Sequence, residues 1–201
     1  AAADGVTVLE LGEALDPLPH ADDDGEDPHW FTDPLRMAAA AGLVATAAES
    51  VEGLDPTVVA EQAAGHASAI EAADAEIAAD LETIPEDQRL MVTNHYVFCY
   101  FSDRYGNEGV GTIIPSGTTL AEPSSSELAD LVAVIEETGV PAVFADTSSS
   151  ADLADVLAEE TGEEIAVVEL FSESLGEEGS GAETYLELIR TNADRIMGAL
   201  A

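Results

Sequence analysis

The chain has no lysine, only five arginines as permanent cations, a single cysteine and 5% aromatic residues. Each shortage closes off a class of function. Without a basic stripe the surface cannot neutralise a run of phosphates, which excludes nucleic acid as a partner and removes any attraction to anionic lipid. Cys99 has no second cysteine with which to form an internal disulfide. No run of about 18 uninterrupted apolar residues is present, so no membrane span is expected. The opening Ala1-Ala2-Ala3-Asp4 has neither a cationic start nor an apolar stretch, and an export signal is expected to have been removed or to lie outside this chain.

What the chain has in excess is acid. Its 42 aspartates and glutamates against five arginines give a formal net charge of −37 on 201 residues. Disorder does not follow, because 46% of the residues are hydrophobic, enough for a substantial core, and the acid therefore belongs on the surface. Such a surface repels itself in dilute buffer and is tolerated once the Debye length shrinks to about 3 Å near molar salt. A salt-accumulating, halophilic host is the expectation.

Along the chain, Val6 to Leu11 reads as a first strand, followed by an acidic, proline-bearing loop from Asp16 to Asp33 that holds His20 and His29. Asp33-Pro34 and Asp55-Pro56 each read as a helix cap followed by the first helical residue. The second opens a long amphipathic helix, with Val59, Ala63, Ala67, Ile70, Ala73, Ile77, Leu81 and Ile84 at spacings of three and four. At about 1.5 Å per residue it is ~40 Å long, the length of an element that crosses a domain or joins two. After Pro85 the period changes. Short apolar runs at Leu90 to Asn94, Gly109 to Ile114, Val140 to Asp146 and Glu164 to Leu170 alternate with helical stretches at 95–105, 124–138, 150–161 and 182–200. Four such βα units predict an α/β fold with a four-stranded, mainly parallel sheet flanked by helices. Ser124 and Glu127 form a capping box for one of these helices, and Gly139 and Gly162 read as helix-closing glycines.

Ligands of an open parallel sheet bind beyond the carboxyl ends of its strands. His95 directly follows the run ending at Asn94, Glu173 follows the one ending at Leu170, and His29 lies between two Asp-Pro breaks. Two imidazoles and a carboxylate suit zinc or a neighbouring divalent ion. Each residue also has a plainer reading. His95 is equally a capping or core histidine on position alone, Glu173 is one of 42 acids, and no tight His-x-x-x-His motif is present. His66 reads as a solvent or packing residue, and Cys99, among Phe98 and Phe101, as a small core hydrophobe.

The segments Asp27-Pro28-His29-Trp30-Phe31-Thr32-Asp33-Pro34, Val92-Thr93-Asn94-His95-Tyr96-Val97-Phe98-Cys99-Tyr100-Phe101, Ala121-Glu122-Pro123-Ser124 and Phe171-Ser172-Glu173-Ser174-Leu175-Gly176 resemble, in order and spacing, the zinc/manganese-type solute-binding proteins of ABC importers. The stretch from Tyr185 to Asn192 is similar to that family's closing helix. The resemblance covers nearly the whole chain from about Val6.

It implies a two-lobed protein joined by one rigid helix, with metal held in the cleft. Residues 1–55 would be the remnant of an incomplete N-terminal lobe, 56–84 the connecting helix and 85–201 the C-terminal α/β lobe. The family's second histidine ligand matches His29, its third ligand matches His95 and its final carboxylate matches Glu173. A histidine at the third position implies Zn²⁺ over Mn²⁺. The first histidine ligand of the family belongs to a region before this chain starts, so the sequence reads as a truncated form, with His20 as an auxiliary candidate ligand. The last ligand is usually aspartate, and Glu173 is one methylene longer. The function implied is that of an extracytoplasmic, lipid-anchored monomer that captures metal for an ABC permease, not an enzyme. A zinc hydrolase built on the same three residues and a surface adhesin are the alternatives.

Overall fold

The computed structural model describes residues 8–20, 25–114, 124–147, 156–157, 159–161 and 165–201. Asp33-Pro34 and Asp55-Pro56 both start helices, as expected. Asp33 accepts from the Leu35 amide at 2.8 Å and opens α1, Pro34–Ala48. Asp55 accepts from the Thr57 amide at 2.9 Å and opens α2, Pro56–Leu81, whose 26 residues extend for about 39 Å at 1.5 Å each. The rest of the described chain alternates between strand and helix: β1 Leu90–Thr93, α3 Cys99–Tyr105, β2 Glu108–Thr112, α4 Ser125–Thr138, β3 Ala142–Asp146, β4 Ala166–Leu170 and α5 Tyr185–Leu200. The expected capping box of Ser124 and Glu127 is present, and Gly139 closes α4 at φ 66°, a left-handed conformation natural to glycine. A second box, Thr184 with Glu187, starts α5.

The four strands are all parallel, in the order β2-β1-β3-β4. The chain turns to one side of β1 to make β2 and to the other side to make β3, so the crevice between the ends of β1 and β3 is the topological switch point. Alternation sorts side chains to two covered faces, as a parallel sheet demands. Met91, Ala142 and Phe144 join a core with α2, α3 and α5, whereas Val92, Val143 and Ala145 join one with Leu131 and Ile135 of α4. At Gly111 a Cβ would come within 2.5 Å of Leu131 Cδ1, so a larger residue there would force that side chain of α4 to shift.

The long helix is fastened at several points. It packs along α1 and against α5. Buried Asp74 receives both Arg104 nitrogens, at 2.8 and 2.5 Å, and the Tyr105 hydroxyl at 2.9 Å. Burial, with the Asp74 carboxylate beside it, pushes the Tyr105 phenol far up, so it stays a donor at any physiological pH. Among the described residues no helix is long and apolar enough to cross a membrane.

One expected element is corrected. Val8 to Leu11 form no strand, and Val8 and Leu9 are exposed. A strand needs a hydrogen-bonded neighbour, and apart from the single bridge of Pro19 with Glu26 all strand pairing among the described residues lies beyond residue 89. Most of the helix expected at 150–161, together with Gly162, lies outside the described residues, as do 1–7 and 121–123.

Candidate metal centre

The three residues singled out by position converge. One ligand atom from each of His29, His95 and Glu173 lies within 4.8 Å of the others. Two ligands about 2.1 Å from a common ion are at most ~4.2 Å apart, so contraction by less than ~1 Å closes the set on a metal. The three residues come from three loops, 66 residues from His29 to His95 and 78 from His95 to Glu173, which explains why no local motif announced them.

His95 leaves β1 in extended conformation, φ −145° and ψ −177°, which aims it past the strand end at the switch point. Thr93 donates its hydroxyl to the His95 carbonyl at 2.8 Å, and the ring is 1% exposed. Its Nε2 lies 3.1 Å from Glu173 Oε1. Burial is the main reason its pKa lies below the ordinary 6.5, with the charge of His29 acting in the same direction and Glu173 and Asp146 opposing it. The neutral imidazole a metal needs is thereby favoured.

His29 is oriented by its own chain. Its Nδ1 and its amide both contact Asp27 Oδ1, at 2.6 and 2.9 Å, leaving Nε2 for the cluster. This is the carboxylate–histidine arrangement that fixes the tautomer and orientation of the ring. Tyr100, buried at the start of α3, donates to the Asp27 carbonyl at 2.7 Å and accepts from the Leu18 amide at 2.9 Å. Thr32 donates to the carbonyls of His29 and Val97 at 3.0 and 3.4 Å, tying the loop to the turn after His95. The His29 and His95 rings meet edge to face, with centroids 5.3 Å apart.

Glu173 is held more loosely, with its side chain 39% exposed. Its loop is anchored by Asn192 of α5, whose side-chain amide accepts from the Phe171 nitrogen at 2.9 Å and donates to the Phe171 oxygen at 2.7 Å. Gly176 completes the turn, because a Cβ there would sit 2.9 Å from Ser180 Cβ and 3.0 Å from the Phe171 ring. A cavity of about 250 Å³ adjoins the carboxylate, walled by Phe31, Phe98, Phe171, Leu175 and Tyr185. Such apolar walls strengthen electrostatic interactions beside them.

The remaining candidates lie elsewhere. His20 is not in the cluster, and the neighbouring acids 22–24 lie outside the described residues. His66 is exposed on α2, and the Cys99 thiol contacts the Tyr96 carbonyl at 3.5 Å. Asp27, Tyr100 and Asn192 were not legible as site residues. Asp27 has a local signal, a carboxylate two residues before a histidine, whereas Tyr100 and Asn192 act through contacts that no spacing reveals.

The model of the family ZnuA, zinc-uptake complex component A, periplasmic, matches residues 1–199 of the chain. The manganese-binding lipoprotein MntA of Halalkalibacterium halodurans is 28% identical over 199 residues, spanning 98% of this chain and 64% of that protein. The zinc-binding protein TroA of Treponema pallidum is 32% identical over 132 residues, 64% of this chain and 42% of that one. The solved structure of the periplasmic zinc-binding protein TroA superposes with a TM-score of 0.86 at 24% identity, over 98% of this chain and 73% of its own. This likeness establishes the fold as the TroA-like two-lobed α/β architecture. The chain thus spans less than two thirds of the length of the curated relatives MntA and TroA.

Proposed function

The chain belongs to the family of periplasmic zinc-uptake components A, and from that premise we propose that it captures a divalent transition metal for import by an ABC transporter. The observation that carries this reading is the convergence of His29, His95 and Glu173 within 4.8 Å at the switch point of the sheet. Relatives named as manganese-binding and as zinc-binding both match. Two neutral imidazoles and one carboxylate favour Zn²⁺, since Mn²⁺ prefers a richer oxygen set. Three protein ligands leave one tetrahedral position for a further donor. The metal is cargo, and the protein is a receptor, not an enzyme. It works outside the cytoplasm, held by a lipid anchor, and delivers the ion to a membrane permease. On this reading residues 56–84 serve as the connector between the N-terminal lobe portion 1–55, with its acidic loop, and the α/β lobe 85–201.

Metal content after purification in molar KCl tests the reading. One equivalent of zinc is expected for the native chain, with loss in His29→Ala, His95→Ala and Glu173→Ala. Zinc retained at the native level by both histidine variants overturns it.

A further inference from the structure

A metal bound through Nε2 of His95 takes that nitrogen's lone pair, so the ring proton must reside on Nδ1, and a buried N–H needs an acceptor. Among the described residues His95 Nδ1 is fully buried and has no hydrogen-bond partner. The sheet register points to where an acceptor lies. β1 and β3 pair with Val92 opposite Val143 and Thr93 opposite Phe144. Two residues further on, with the His95 backbone still extended, His95 comes opposite Asp146, the last residue of β3. Parity puts both on one face: Met91 and Phe144 belong to the same core, so His95 and Asp146 project to that side too. Neighbouring parallel strands are about 4.8 Å apart, within reach for a direct or single-water hydrogen bond. Asp146 is 4% exposed, so its carboxylate is held inside the fold at the end of β3.

We propose that Asp146 is the positioning residue of His95, accepting the Nδ1 proton when Nε2 ligates the metal and thereby fixing the metal-competent tautomer. This rests on the reading of His95 as a ligand. The two histidines would then be matched, each backed by a buried carboxylate: His29 by Asp27, two residues away along the chain, and His95 by Asp146, 51 residues away and brought alongside by strand pairing. The negative charge of Asp146 already acts on the imidazole. A carboxylate behind a ligating histidine raises its basicity as well as orienting it, and loss of such a partner typically weakens metal binding by about 10–100-fold.

The test is zinc affinity by chelator competition in molar KCl for the native chain, Asp146→Ala, Asp146→Asn and His95→Ala. It is joined by ¹⁵N NMR of histidine-labelled, zinc-loaded native protein, which reads the tautomer of each ring. Expected are a loss of about 10–100-fold in Asp146→Ala, a smaller loss in Asp146→Asn, whose amide oxygen still accepts, and a protonated Nδ1 on His95. A purely structural role would lower unfolding stability without this ordering of the two variants. Native affinity in Asp146→Ala, or an Nδ1 without its proton in the loaded protein, overturns the proposal. If Asp146→Ala does not fold, Asp146→Asn and the tautomer measurement decide it. Native affinity in His95→Ala would instead overturn the reading of the metal site, a distinguishable failure.

Discussion

The two sides of the candidate metal centre are built by different means. The imidazole side is rigid: His29 is clamped by Asp27, whose backbone is held by Tyr100, and His95 is buried behind the end of a central strand. The carboxylate side is a loop, with Glu173 39% exposed and anchored at a distance by Asn192. Preorganised ligands lose little freedom on binding, whereas a mobile carboxylate adapts its reach. The long glutamate side chain thus lies on the more exposed of the two sides.

The largest effect separates the two sides outright. His95→Ala is expected to lower zinc affinity beyond the ~100-fold typical of outer-shell changes, and Glu173→Gln by less, because a neutral oxygen ligand remains. Chelator competition measures both, and an equal loss would break the contrast. Asp27→Ala comes next, at about 10–100-fold, through a misoriented His29. Asn192→Ala is expected to cost less than tenfold, because its effect reaches the metal only through the Phe171–Glu173 turn; a larger loss than in Asp27→Ala would reverse the order.

pH sharpens the comparison further. His95 has a folded-state pKa below the unfolded 6.5, so the unfolded chain takes up its proton first as pH falls. The stability its neutral form contributes is complete above 6.5 and is lost as pH drops through the depressed value. Denaturation of the metal-free protein between pH 8 and 5 checks this, with His95→Gln expected to flatten the decline. Zinc affinity should fall in the same direction, since protons compete for the imidazoles. The smallest site-specific effect is expected from salt. Raising KCl from 0.1 to 2 M should stabilise the whole fold by screening the −37 charge while shifting the affinity of the buried histidine side little. Equal unfolding midpoints at both salt concentrations would contradict the salt-adaptation reading.

Legibility followed the range of the interaction. Helix starts at Asp33-Pro34, Asp55-Pro56 and Ser124 could be read directly because a cap and its first turn span three or four residues. The strands were readable to within one or two residues from their β-branched runs. Val8 to Leu11, within the strand expected from Val6, misled for the same reason: the pattern suits a strand, but pairing depends on a neighbour that a local pattern does not contain. The positions of His95 and Glu173 followed from a rule about strand ends, and the resemblance to metal receptors singled them out from the plainer readings.

The sequence alone determined the charge and the alternation of β and α after Pro85, since each depends on residue identity or local spacing, and it offered His29, His95 and Glu173 as candidate ligands. Tertiary structure decided which groups stand behind those candidates. Tyr100, Asn192 and Asp146 come to the site through strand register and helix docking, across 73 residues in the contact from Tyr100 to Asp27. The strand order placing β1 beside β3 creates the crevice itself. Those are properties of how faces pack and chains pair, and one-dimensional spacing does not carry them.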